Sequence, residues 1–405
     1  MTARTDRDPA ATALVRWLFR DVAGTAADVA PAWPAGVPTD PLVRLLDVHR
    51  GWTFLARRAA SVPGLPADVA ARATHERRSA VTYQVALSAD LLRCGAALDA
   101  AGVPWVCVKG PVVATLHEAR GEVRPFTDLD LLVPPERFAD ALRALSAAGS
   151  VLLDRNFTLL RSRVPGEVDL RAPLGTMLDL HWTLVNRSER RRRAAVPTAE
   201  LLAGRVEVTT ATGPVPALGP AERFVHLCLH AAGSGGDRLV WLLDVALACA
   251  EPDVDWDAVV ATARAWRVGR AVGLVLGRSG AVLGAAVPGH VVAALRGRGD
   301  WAAADVLARR LDRGRASTPA QRTLGAHLAA GSLEHDRLAT LAVHRSTARL
   351  RHGRRTPFTA DPADPGSAFH ADGTVEDLHA YLAAVAAHGD PADPAPRPGH
   401  RRPRG

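Results

Sequence analysis

The segment Asp128-Leu129-Asp130 carries two carboxylates at a spacing that puts them to joint use. In an extended chain, residues two apart face the same side, so both acids project together while Leu129, Leu131 and Val133 pack behind. Like charges held side by side raise each other's pKa unless a cation neutralises them. A hard divalent ion does this, and Mg²⁺ favours one or two carboxylates together with water and phosphate oxygens. The bland alternative is that Asp128 closes a strand end and Asp130 points into solvent. A third carboxylate shifts the balance. In Leu178-Asp179-Leu180-His181-Trp182, Asp179 and His181 share one face and the apolar residues the other. If this strand neighbours the first, three acids converge, enough for two metals or for one metal and a general base. Asp169, in Glu167-Val168-Asp169-Leu170, competes with Asp179 for the third place, and the spacing leaves both open.

Upstream, Lys109-Gly110 ends an apolar run and opens a helix. Glycine there lets a phosphate approach the amides of a helix N-terminus, and Lys109 can neutralise it as a point charge. Pro111 removes one of those amides. The plain alternative is a strand-to-helix turn with a solvated lysine. Arg124, four residues before Asp128, either reaches phosphate or pairs with Glu122. The chain holds 50 Lys and Arg together, and only Lys109 among them is lysine. Arginine does not imitate a compact ammonium, which singles the position out. His226 and His230 have metal-compatible helical spacing, but Leu227, Cys228 and Leu229 lie between them and helix packing is the better reading. Arg238 and Asp244 serve equally as an inter-helix pair or as ligand contacts.

These residues need elements to position them. Leu42, Leu45, Leu46 and Val48, then Val69, Ala70 and Ala73, recur near the helical period, and Arg77–Ala101 continues it through Val81, Val85, Leu87, Leu91 and Leu92. Pro31–Pro41 separates an N-terminal segment. From Gly102 the pattern changes: strands are expected over Val103–Val108 and Thr127–Val133, with a helix at Val112–Glu118 entered through Pro111 and another over Pro134–Ala148. Phe157–Val164 and Val168–Arg171 read as two strands joined by Pro165-Gly166, and Leu178–Trp182 as another. From Pro197 onward the chain reads as helical, with main segments Ala221–Gly233, Arg238–Ala250, Trp256–Leu276 and Ala320–Leu350. A last helix is expected at Val375–Ala387, and disorder at 389–405. The implied organisation is an N-terminal helical region (1–95), a mixed α+β core (96–190), a C-terminal helical domain (191–355) and a Pro/Arg-rich tail with one short helix (356–405).

Composition bounds the classes. With 405 residues, 48% apolar and 23% charged, the chain is long enough for several packed units and is not a disordered one. Cys94, Cys107, Cys228 and Cys249 form no CxxC pair, which disfavours zinc ribbons and disulfide frameworks. Apolar stretches fall short of a bilayer span, and residues 1–30 mix Arg with acids instead of showing a leader pattern. A soluble, cytoplasmic protein is expected, without membrane association. Arg190–Arg193 and the cluster Arg345, Arg349, Arg351, Arg354 and Arg355 suit nucleic acid, but aromatic interleaving is missing, so solvated surface is the stronger expectation.

Taken in order, strand–Lys109-Gly110–helix, Arg124-Pro125-Phe126-Thr127-Asp128-Leu129-Asp130-Leu131-Leu132-Val133 and Asp179-Leu180-His181-Trp182 resemble the uncharacterised nucleotidyltransferase family of the polymerase-β-like superfamily. The likeness runs from about residue 40 to about 265 and includes His226–His230 and Arg238–Asp244. It implies an α+β polymerase-β-like core, a small mixed sheet with helices, flanked by N- and C-terminal helical regions. It also implies metal-dependent transfer of a nucleoside monophosphate from an NTP, ATP foremost, with pyrophosphate leaving. By position, Asp128, Asp130 and Asp179 would be the catalytic and metal-binding acids, for Mg²⁺ or alternatively Mn²⁺. Lys109, Gly110 and Arg124 would bind nucleotide. The acceptor is an unidentified small molecule, peptide or protein. Rival readings are a weakened nucleotide-binding module, suggested by Pro111, and an RNA-directed enzyme recruited by the Arg clusters.

Overall fold

The computed structural model describes residues 9–26, 29–191, 194–234, 238–296 and 361–389. The expected helix Ala320–Leu350, the arginines from 345 to 355, Arg192, Arg193 and residues 390–405 lie outside them. The chain divides into two compact units. One comprises residues 1–85, 110–127 and 219–355, the other 86–109, 128–218 and 356–405.

The first unit is helical: α1 (Pro9–Val22), α2 (Asp40–His49), α3 (Trp52–Arg58), the opening half of α4 (Ala67–Ala100), α5 (Pro111–Glu118) and, after the second unit's strands and helices, α10 (Pro220–Gly233), α11 (Leu239–Cys249), α12 (Trp256–Ala265), α13 (Gly269–Leu283) and α14 (Gly289–Arg296). Each helix buries one apolar stripe; in α1 it is Leu14, Leu18 and Phe19. In α11 the stripe becomes the whole circumference, as expected of a helix surrounded by others. Asp244 sits in its middle with 2% exposure, which requires counter-charges. Arg124 supplies a fork, Nε and Nη2 each donating at 2.8 Å to its two oxygens, and His117 Nε2 lies 2.8 Å from Oδ1.

The second unit is built on one seven-stranded mixed sheet, in the order β3-β4-β5-β2-β1-β7-β6. The strands are β1 (Val106–Cys107), β2 (Asp128–Leu132), β3 (Val151–Leu152), β4 (Glu167–Arg171), β5 (Met177–His181), β6 (Val206–Thr210) and β7 (Gly213–Ala217). β2 and β5 run parallel, β4 antiparallel to β5, and β1 antiparallel to β2. Leu129, Leu131, Leu178, Leu180, Val168 and Leu170, alternate residues of the three central strands, are all buried. Register is thereby fixed, because a one-residue slip would turn leucines to the acidic face. The later half of α4 buries Leu87, Leu91, Cys94 and Leu98. Its Asp90 carboxylate accepts from the amides of Leu174 and Thr176 and from the Thr176 hydroxyl, pinning the β4–β5 turn. α6 (Phe138–Ala147), α7 (Phe157–Arg163), α8 (Ser188–Arg191), α9 (Thr198–Ala203) and α15 (Val375–Ala386) complete the unit.

Two expectations are corrected. Phe157–Val164 is a helix, not a strand. Asn156 caps it by accepting from the Leu159 amide, and α15 packs along it. The chain after Pro197 is not wholly helical either, because β6 and β7 form a hairpin that extends the sheet through the Cys107–Ala217 bridge. α15 itself begins with a reciprocal capping box between Thr374 and Asp377. The preceding segment is tied down by the Asn156 side-chain amide, which donates to the carbonyls of Pro365 and Ser367. Among the described residues no helix is long and apolar enough to cross a membrane.

Candidate active site

The acids meet on three adjacent strands. Asp130 on β2 stands directly opposite Asp179 on β5, and Asp179 directly opposite Asp169 on β4. Equal register on neighbouring strands puts all three on one face, since the leucines between them fill the other. His181, two residues beyond Asp179, and Glu167, its partner across β4, extend the same face. Ligand atoms of Asp130, Asp179 and His181 all lie within 4.8 Å of one another. Asp169 is outside that group, and so is Asp128, which is half-buried at the start of β2.

Asp130 is the most enclosed member, at 1% exposure, so the solvent-facing alternative does not hold for it. Its Oδ1 receives two cations: Lys109 Nζ at 2.6 Å and His181 Nε2 at 3.1 Å. Burial alone would raise this carboxyl, but Lys109 and His181 outweigh it and hold Asp130 well below the usual carboxylate range. The chain delivers Lys109 there through the sheet, because the Val108 amide donates to the Asp130 carbonyl at 3.0 Å one residue before it. His181 is held from its other side by Glu167 Oε2, 2.9 Å from Nδ1, a contact that is electrostatic more than a well-aligned hydrogen bond. Burial would discharge the imidazole, yet Glu167 and Asp130 keep it charged and push it up to about 10.

The remaining acids are pushed the other way. Burial, then Asp130 and Asp169, raise Asp179 to about 8. Burial and Glu167 raise Asp169 to about 6. Asp154, 5% exposed, is raised to about 7 by burial and by Asp169, whose amide donates to it. The face therefore carries more carboxylate than its own cations neutralise. Two carboxylates and an imidazole in reach of one point fit a single divalent ion, with Asp130 and Asp179 as its oxygen donors.

The other sequence-derived candidates belong to the first unit. Gly110 has φ 54° and ψ −116°, a conformation open to glycine and costly for other residues, and it leads into α5 with Pro111 at the first turn. Arg124 is 6% exposed and is engaged by Asp244 as described; Glu122 pairs instead with Arg57 and Arg58. His226 is buried within α10. Three participants escaped sequence reasoning: the bridging part of His181, Glu167 behind it, and Asp154. The alternation of β4 and β5 carried the signal for the first two, once their pairing register is known.

A family model described as uncharacterised nucleotidyltransferase matches residues 36–284. The chain belongs to that family. The match takes in the whole acidic face of this nucleotidyltransferase-family protein and Lys109, and ends before α15. No curated protein matches the chain.

Proposed function

We propose that the protein transfers a nucleoside monophosphate from an NTP, ATP foremost, to a small-molecule, peptide or protein acceptor. The observation that carries this reading is the convergence of Asp130, Asp179 and His181 on one buried sheet face in a nucleotidyltransferase-family chain. Asp130 and Asp179 would hold a divalent ion, Mg²⁺ or Mn²⁺, with Asp128, at the start of β2 and outside that cluster, as the further acid of the set. When bound, such an ion supplies the positive charge that the triphosphate and the leaving pyrophosphate require.

The acceptor's hydroxyl or amine attacks the α-phosphorus, the bond to the β-phosphate oxygen breaks, and pyrophosphate departs with the electron pair. Asp179, directly opposite Asp130 across the β2–β5 pairing, is assigned the proton the acceptor loses. Lys109 faces the same charge and offers an ammonium to the phosphates. For Arg124, the bidentate pairing with Asp244 supports a structural part within its own unit. A nucleotide-binding module without turnover is the second reading, favoured by Pro111, which removes an amide from the start of α5.

The test is calorimetry of a non-hydrolysable ATP analogue with and without Mg²⁺, on wild type and on Asp128→Asn/Asp130→Asn, followed by transfer assays with α-labelled nucleotides. Mg²⁺-dependent binding that disappears in the variant is expected. Retained metal-dependent turnover in the double variant refutes the assignment of these acids.

A further inference from the structure

Asp130, proposed above to hold the metal, has one oxygen already engaged. Lys109 Nζ stands 2.6 Å from Oδ1 and His181 Nε2 stands 3.1 Å from that same atom. An ion that uses Oδ1 must displace one of them, and the two differ in how firmly they are held. His181 lies within β5 and is gripped again by Glu167 at 2.9 Å. Lys109 reaches Asp130 from just past β1 on a flexible four-carbon stem, through a point contact and not a fork. Its side chain keeps 16% exposure against 1% for that of Asp130, so it is the less enclosed partner of the pair. Arginine, which this chain uses at every other such position, would bind the carboxylate with two parallel bonds and release it reluctantly.

We propose that Lys109 is a built-in, displaceable counter-cation: it neutralises Asp130 while no metal is bound, yields Oδ1 to the divalent ion, and then pairs its freed ammonium with the incoming triphosphate. The inference rests on the nucleotidyltransferase reading of the same site. It predicts that metal and nucleotide bind cooperatively. Metal alone exchanges the direct Lys109–Asp130 contact for the longer-range pull of Asp128 and Glu167, whereas metal with triphosphate supplies the ammonium with direct partners. Such coupling is reciprocal, each ligand tightening the other by the same factor.

Because Lys109 is the sole lysine, an amine-reactive ester has one side-chain target, with the N-terminal amine as internal reference. Labelling of full-length wild type, read by peptide mass spectrometry, is expected to rise several-fold on saturation with Mn²⁺ and to fall again when a non-hydrolysable ATP analogue is added. In parallel, Mn²⁺ calorimetry on Lys109→Met is expected to show about tenfold tighter binding without nucleotide and loss of the cooperativity seen in wild type. Saturating Mn²⁺ that leaves wild-type labelling unchanged overturns the proposal while the metal site stands, and that arm does not depend on the variant folding. Equal or weaker Mn²⁺ affinity in folded Lys109→Met overturns it too. Absence of Mn²⁺ binding to wild type removes the nucleotidyltransferase reading and this inference with it.

Discussion

Replacing Asp244 by alanine tests whether the Arg124 fork holds the first unit together or serves ligand. In the structure Asp244 is 2% exposed and Arg124 6%. Both guanidinium contacts measure 2.8 Å, and so does the His117 contact. Burial would raise the Asp244 carboxyl, but Arg124 and His117 outweigh it and hold it at about 2. Asp244→Ala removes the acceptor of two charged bonds and leaves the guanidinium in an apolar helix packing. Breaking a buried pair from one side costs about 3–5 kcal/mol, while replacing both partners with apolar groups of similar volume is nearly neutral. Urea unfolding at pH 7 followed by circular dichroism should therefore show a loss of about 3–5 kcal/mol at unchanged m value for Asp244→Ala. Arg124→Met/Asp244→Leu should be more stable than that single variant. A single-variant loss below about 1 kcal/mol, on the same scale, refutes the reasoning, as does a double variant worse than the single. The double variant also decides Arg124's part: nucleotide affinity kept in folded protein makes the pair structural, and affinity lost makes Arg124 a ligand contact.

Other perturbations have defined outcomes. Asp154 and Asp179 bind protons more tightly folded than unfolded, so metal-free protein should lose stability as pH rises from about 6.5 to 8, above the range in which the buried neutral His49 and His117 act in the opposite sense. His181 continues that loss between about 6.5 and 10. Each proton of difference gives a slope of about 1.4 kcal/mol per pH unit at most. Thermal midpoints in EDTA check this, with Asp179→Asn flattening the slope; a rise in stability over that window contradicts it. Tyr381 is fully buried, meets the Phe138 ring edge-on at 6.3 Å and donates to the Pro165 carbonyl at 3.2 Å. Tyr381→Ala should cost about 3–5 kcal/mol in urea unfolding and speed proteolytic cleavage within Phe157–Arg163; unchanged cleavage would show that α15 does not secure α7.

The acidic strands were legible in the sequence because their signal is local. Alternation in Leu129–Leu131 and Leu178–Leu180 fixes which side chains share a face, whatever the neighbours. What alternation does not contain is pairing, so the sequence left Asp169 in competition with Asp179; the register puts Asp179 beside Asp130 and Asp169 one strand further away. Phe157–Val164 misled because Pro165-Gly166 imitates a hairpin turn. The opposing local evidence was the Asn156 cap and the basic last turn, and the decisive partner, α15, lies more than 200 positions away. Val206–Thr210 does alternate, but Pro214 and Pro216 argue against a strand beside it. β7 tolerates them because its contact with β1 is confined to Cys107–Ala217. Arg124 shows the same limit: its charge was visible, and its buried acceptor, 120 residues on, was not.

α15 has a consequence for how the protein is made. Its contacts and those of the segment before it join residues near 156–165 to residues near 365–381, with separations of 209 to 216 positions. At about 5–20 residues per second, a ribosome needs roughly 10–40 s to traverse such an interval. Throughout that time the Phe138 and Leu160 surfaces of the nascent sheet unit wait uncovered. The packing of the second unit is thus completed only after α15 has emerged, and until then keeping the waiting surface from sticking falls to chaperones or to the pace of translation itself.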